Sequence, residues 1–294
     1  MFKHAATSLY DPVLSDWVVS LFAHRDTRRY CDKTVNPLLI DLFASGNEYE
    51  STIVKRLKES NPVVSLKRFN DSSQIIYNAQ HPIFTDVKTY DPSSGLYGIA
   101  DLLIRGDVVK EVLKTIDIHY NGPVGNGYVL FDIKCTRDVT ESQLLPAYNC
   151  QLDAYKRGLS VKPIAEYLLY GTGNKGALYR AKINELDTNN AVEWLNLTKS
   201  DASLKWNAYE PHENRLYPNM KRGAIPYYDQ VKSIVAESIG EITLLPHLTV
   251  EDRALALEHG VNSYRHNRFD LDIFNLTELE KSDILNAIKM VDES

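Results

Sequence analysis

The chain has 294 residues, of which 44% are hydrophobic and 24% charged, and its formal net charge is −6. That composition excludes a disordered tail, a collagen-like fibre and a small disulfide scaffold, and its length suits one large domain or two smaller ones. The acidic balance excludes indiscriminate binding to nucleic acid, so a nucleic-acid partner must meet a local basic groove or carboxylates screened by metal.

In chain order, residues 12–30 read as a helix with Trp17, Val18, Leu21 and Phe22 on one side, ending in the basic cluster Arg25, Arg28, Arg29 and Lys33. A solvated helix end and a phosphate-contacting edge both fit that cluster. Residues 37–59 form a stronger helix, with Leu38, Leu39, Leu42, Phe43, Ile53, Val54 and Leu57 at helical spacing. Gly46 interrupts it at a cost of about 1 kcal/mol against Ala, which suggests close packing there or the entry of another chain. Strand-like runs follow at Val63 to Phe69 and Pro82 to Tyr90, then a turn over Asp91 to Gly95 and a third run from Tyr97 to Arg105. Tyr128 to Thr136 is a further strand and 144–159 a helix. Ala165 to Tyr170 and Ala177 to Ile183 are strands around a Gly-rich turn. Helices beside a mixed sheet make an α/β core. Beyond about 186 helical signals dominate, near 190–200, 225–239, 250–259 and 277–291. The expected organisation is a domain over 1–186 and a mainly helical module over 187–294.

No run approaches the roughly 18 uninterrupted apolar residues of a membrane span. The start, Met1 to His4, lacks the features of a secretory signal. Cys31, Cys135 and Cys150 are an odd, widely spaced set without a CxxC pair, which fits a reducing compartment. The expectation is an intracellular protein with no membrane partner.

Two strands carry carboxylates where apolar or hydroxyl side chains are usual. Asp101 lies within Gly98 to Ile104, and Asp132 within Val129 to Lys134. A buried carboxylate must neutralise, pair or bind a cation. Lys134 shares a strand face with Asp132. A divalent magnesium or manganese ion would find hard oxygen ligands in Asp101, Asp132 and the Ile133 carbonyl, with Lys134 beside it to hold a water. On the Asp-x-Lys triplet alone, a salt bridge without catalysis accounts for the same residues.

The wider arrangement adds Glu50, four residues after Gly46, and the i, i+4 pair Gln151 and Tyr155. With these motifs in this order, the sequence resembles the RecB-like branch of the PD-(D/E)XK nuclease superfamily over roughly residues 36–172. The resemblance implies a restriction-endonuclease-like core, with a central mixed sheet flanked by helices, and hydrolysis of phosphodiester bonds, with DNA the expected substrate. It implies Asp101, Asp132, Ile133 and Glu50 at a magnesium or manganese ion, and Lys134 positioning the attacking water. Gln151 and Tyr155 match the accessory pair that contacts DNA or steadies the site. Two departures stand out: Ala100 replaces the eponymous proline, and the acid of the triplet is Asp132 rather than Glu. Glu48 competes with Glu50 for the ligand role, and the Gly46 spacing favours Glu50. Some members of this branch hold an iron–sulfur cluster with late cysteines, but no cysteine follows Cys150, so none is expected here.

Glu241 to Leu245, Thr249 to Gly260, Val261 and Ser263 are similar to the tail of RecB-like nucleases of bacteria and large DNA viruses, which resembles a helix-hairpin-helix module. The hairpin Pro246 to Thr249 lacks the glycines that grip phosphate, so a packing or protein-interaction role competes with DNA gripping. Gly171 to Gly176 lacks the order of a phosphate loop and reads as a hairpin turn, and no GxSxG elbow supports a serine hydrolase. The alternatives to a nuclease are a nucleic-acid-binding subunit with a relic site and a protein-interaction module.

Overall fold

The computed structural model describes residues 2–16, 37–68, 81–200, 208–222 and 228–292. The chain begins with a short strand, β1 (His4–Ala5), a 3-10 turn (Ala6–Leu9) and one helical turn, α1 (Tyr10–Val13). The long helix α2 (Pro37–Ser60) follows, then strands β2 (Val63–Ser65), β3 (Ile83–Tyr90) and β4 (Leu96–Arg105). A short helix α3 (Val109–Lys114) leads to β5 (Tyr128–Cys135), helix α4 (Leu145–Gly158) and strands β6 (Ala165–Gly171) and β7 (Ala177–Arg180). Helix α5 (Glu185–Ser200), α6 (Asp229–Ile239), α7 (Val250–Glu258) and α8 (Glu278–Asp292) complete the order.

Among the described residues the strands form one seven-stranded sheet in the order β2-β3-β4-β5-β6-β7, with β1 paired to β4. It is mixed: β2 runs parallel to β3 and β5 parallel to β6, while β3–β4, β4–β5 and β6–β7 are antiparallel. This is the expected α/β architecture, with additional helices in the C-terminal part. The central strands are nearly continuous apolar runs because both faces are covered. On β5, Val129, Phe131 and Ile133 join Tyr49, Ile53 and Leu57 of α2 in one apolar layer. Leu130 joins Leu152, Ala154 and Tyr155 of α4 in the other. Alternation along an extended strand therefore turns Asp132 and Lys134 toward α4.

Local sequence explains the two helices that flank the site. In α2 the i, i+4 series Tyr49, Ile53 and Leu57 is buried and faces the sheet. Leu38, Leu42 and Phe43, expected on the same buried face, are 75%, 58% and 51% exposed. Leu39 is buried as expected, but the continuous stripe begins only at Tyr49, so helical spacing alone overstated its length. A Cβ at Gly46 would meet nothing within 4 Å, so close packing does not explain that glycine. Helix α4 has Pro146 in its first turn, where an N–H is not needed, and Lys156 and Arg157 in its last, where cations oppose the dipole. At its end a Cβ on Gly158 would lie 2.6 Å from the backbone N of Tyr90, so glycine permits α4 to close onto β3.

Several boundaries differ from the sequence expectation. Strand β2 ends at Ser65 and β7 at Arg180, and α3 was not expected, since six residues are too few for a helical period. The helix over 12–30 is described only as far as Asp16, where residues 10–13 are helical. Trp17 to Phe22, the basic cluster and Cys31 lie outside the described residues. The Gly-rich segment is the turn of the antiparallel β6–β7 pair, as expected.

The chain divides into two compact units. Of the described residues, the first unit holds 2–13 and 37–197, and the second holds 14–16 and 198–292. The expected division after 186 falls inside α5, because Ala191, Val192 and Leu195 of that helix pack into the core of the first unit. Residues 14–16 belong with the second unit for an ionic reason. Asp16 is fully buried there, 3.0 Å from Lys232 and 3.1 Å from Arg222, and it accepts the Asn219 N–H at 2.7 Å. Within the same unit Arg253, also fully buried, donates to Glu241 at 2.8 Å and to the Pro218 and Ser15 carbonyls. Thr243 donates to the other Glu241 oxygen through both its N–H and its hydroxyl. A capping box of Thr249 and Asp252 starts α7. The segment between α6 and α7 thus directs its polar groups inward.

Candidate active site

The site begins as a defect in the sheet. The β4–β5 ladder runs from Arg105 opposite Tyr128 to Leu102 opposite Phe131 and then stops. At the next position the two strands part. The Ile133 N–H, which a continuing ladder would bond, donates instead to Asp101 Oδ2 at 2.6 Å. Both N–H and C=O of one extended residue project to the same side, so the Ile133 carbonyl faces the same gap. The defect continues into β3. Thr85 pairs with Leu102 and Val87 with Ala100, but Asp86, between them, has φ of 56°. Ala100 and Leu103 lie in one apolar layer and Leu102 and Ile104 in the other, so the alternation of β4 changes phase at Asp101. A left-handed residue inside a strand is costly for any side chain but glycine.

On the α4 side of this gap, Lys134 Nζ lies 2.7 Å from Asp132 Oδ2. It also donates to Gln151 Oε1 at 3.1 Å. Gln151 in turn donates to the Tyr155 hydroxyl at 2.6 Å and accepts from the Tyr10 hydroxyl at 2.5 Å. The Tyr148 ring centroid is 4.8 Å from Lys134 Nζ, and Tyr10 meets Tyr148 edge-on. The ammonium is thus enclosed by a carboxylate, an amide and aromatic rings. Asp132 is 1% exposed, and its Oδ2, although in ion-pair range of Lys134, receives no aligned hydrogen bond.

The electrostatics follow from this crowding. Burial pushes the Asp101 carboxyl well above the usual range, and the charges of Asp132 and Glu50 push it further, against the pull of Lys134 and the Ile133 N–H. Glu50 is raised by burial, then by Asp86 and Asp132, against Lys134 and Lys67. Burial works against the charge on Lys134, but Asp132, Tyr10 and Asp101 outweigh it and hold the ammonium well above its ordinary value. Burial also raises the Tyr10 and Tyr155 hydroxyls, so both stay protonated, Tyr10 donating to Gln151 and Tyr155 accepting from it.

The expected residues meet at one place. Asp101, Asp132, Lys134, Gln151 and Tyr155 are linked by the contacts above, and the charge of Glu50 reaches Asp101, Asp132 and Lys134 from α2. Glu48 is exposed and lines a separate groove of about 590 Å³ with Tyr49, Cys135 and Arg137. Cys150 is buried in the core and Cys135 is half-buried, and both are free thiols. Sequence reasoning missed Tyr10 and Asp86. Asp86 did not carry the signal that singled out Asp101 and Asp132, because Thr85, Lys88 and Thr89 make β3 a mixed strand in which a carboxylate is ordinary. Tyr10 carried none, since it reaches the site only through the path of the first residues beside β4.

A divalent magnesium or manganese ion needs several oxygen donors around it. Among the described residues, no three His, Cys, Asp or Glu side chains lie close enough to enclose an ion by themselves. Two aspartates, the Ile133 carbonyl and water make a hard-oxygen set of the kind magnesium and manganese accept, with Glu50 in electrostatic range. Three carboxylates, Asp101, Asp132 and Glu50, crowd around Lys134, and that surplus of negative charge suits a cation.

No protein-family model matches the chain, and no curated protein matches it. It is similar to a solved structure described as "Crystal structure of SSO0001", at 16% identity, over 68% of this chain and 77% of that chain, with a TM-score of 0.32. Among the described residues no helix is long and apolar enough to cross a membrane.

Proposed function

We propose that the protein is a metal-dependent nuclease that hydrolyses phosphodiester bonds in DNA. One observation carries the reading above all: Asp101 and Asp132 stand at a parting of two strands, beside an ammonium fixed by Asp132 and Gln151. When bound, magnesium or manganese would supply Lewis acidity toward a phosphoryl oxygen and a more acidic water. Asp101, Asp132 and the Ile133 carbonyl would hold it, with Glu50 completing the acidic surround. Lys134 keeps its proton at Nζ and would donate a hydrogen bond that orients the attacking water or meets a non-bridging oxygen as charge builds there. Gln151, braced by Tyr10 and Tyr155, fixes the direction of that ammonium.

Labelled single- and double-stranded DNA incubated with the purified protein and manganese tests the reading. Cleavage is expected, and it should fall about a hundredfold or more in Asp132→Asn and vanish with chelator. Cleavage that persists in Asp132→Asn or in chelator contradicts the assignment.

A further inference from the structure

Next to the acidic gap, three strands present a small basic and aromatic platform. Ala5 of β1 pairs with Tyr97 of β4, Tyr97 pairs with Tyr90 of β3, and Ile99 pairs with Lys88. Lys3, Ala5, Tyr97, Ile99, Lys88 and Tyr90 therefore share one face of the sheet. Tyr90, Tyr97 and Ile99 are 47%, 46% and 52% exposed, and Lys3 Nζ sits 5.1 Å from the Tyr90 ring centroid. These residues line a concavity of about 730 Å³, the size of a small-ligand site.

Two features set it apart from an ordinary exposed sheet face. The first is charge. No carboxylate is among the described residues that line it, in a chain whose net charge is −6, while Lys3 and Lys88 both do. The second is position. Asp101 lies two residues beyond Ile99 on β4, and Asp86 two residues before Lys88 on β3. Two residues of strand span about 7 Å, roughly the step from one nucleotide to the next. Gly98, between Tyr97 and Ile99, turns to the opposite face of the sheet, where the buried Tyr155 ring of α4 takes the place of a side chain and underlies the floor of the concavity.

We infer that this platform seats an unstacked nucleotide of a single-stranded nucleic acid next to the bond to be cleaved. Its base lies on Tyr97 and Tyr90, and its phosphate meets Lys88 and Lys3. This assignment rests on the nuclease reading for the identity of the polymer, but not for the binding itself. Stacking on a tyrosine is tolerant of base identity, and lysines on the phosphates add affinity that salt weakens.

Fluorescence anisotropy with a labelled dT oligonucleotide, in chelator and over a salt series, tests it without turnover. A U oligonucleotide and a blunt duplex are run in parallel, to separate DNA from RNA and single from double strands. The full chain is expected to bind the single strand more tightly than the duplex. The Lys3→Glu/Lys88→Glu variant should bind the strand about tenfold or more weakly, with a salt slope shallower by about 0.7 for each lysine lost. Tyr97→Ser should weaken binding about fivefold or more without changing the slope. Should the double variant not fold, Lys88→Gln and Tyr97→Ser, at surface positions, carry the same comparison. Unchanged affinity and slope in folded variants, a preference for the duplex, or no binding at low salt overturns the inference. Variants that bind and cleave like the original chain sink the platform and leave the nuclease reading intact. Weakened binding in a chain that cleaves nothing in any metal supports the platform and sinks the nuclease reading.

Discussion

Lys134 meets Asp132, Gln151 and the Tyr148 ring, and a lysine enclosed this way would lose its proton if burial acted alone. Asp132 prevents that, and the Tyr10–Gln151–Tyr155 chain decides where the ammonium points. Tyr10 acts through Gln151 and is a positioning residue. Tyr10→Phe removes the hydroxyl and leaves Gln151 Oε1 with Lys134 as its remaining donor. The expected outcome is a stability loss of about 1 kcal/mol by denaturant titration. Turnover on saturating DNA should fall several-fold with KM unchanged, whereas a purely structural role would leave turnover of the folded fraction alone. At this scale the sequence was legible wherever a carboxylate broke an apolar strand. Tyr10 was hidden because its role depends on a contact with Gln151 across most of the first unit, for which no local pattern exists.

At the scale of the element, the site is made by two strands that lose their partners at the same level. The β4–β5 ladder ends at Leu102, and β3 turns left-handed at Asp86 in the facing position. Asp86 is held there by Ser65 Oγ, which donates to its carboxylate at 2.6 Å, and by Thr85 Oγ1 at 3.2 Å. Backbone strain of this kind costs about 1–3 kcal/mol and collects at functional sites. Replacement tests the backbone and the carboxylate separately. Asp86→Val, β-branched and forced to φ near 56°, should be less stable than Asp86→Gly by about 1–2 kcal/mol in urea unfolding. Equal stabilities would mean that the strand flattens and the defect is not built into the fold. Strands and long helices were legible from alternation and period. The defect was not, because periodicity reports which face a side chain takes only while the ladder stays regular. The shift of phase at Asp101 needs the neighbouring strand to be seen.

At the scale of the molecule, the first unit carries a surplus of buried negative charge, and this couples its stability to pH and to metal. Asp101 and Glu50 have raised values in the folded chain, so the folded state holds more protons than the unfolded one. Stability from these groups is therefore present below their unfolded values, near 4, and is lost as pH rises toward their folded values. In the metal-free protein, Asp101→Asn should flatten the fall of Tm between pH 4 and the folded value of the carboxyl. Manganese should raise the Tm of the original chain, more at pH 8 than at pH 5, and should do so little in Asp101→Asn. A Tm gain independent of pH would place the ion elsewhere. The second unit has its own buried pairs, Asp16 with Lys232 and Arg253 with Glu241, and was legible from sequence only as helices. Charged residues at 16, 232, 241 and 253 read as surface until the fold brings them together.

The most direct measurement of the central claim is anomalous diffraction from crystals soaked in manganese. The account expects one peak in contact with Asp101, Asp132 and the Ile133 carbonyl, absent from Asp132→Asn crystals. A peak at another site, or none at concentrations that support cleavage, would contradict it.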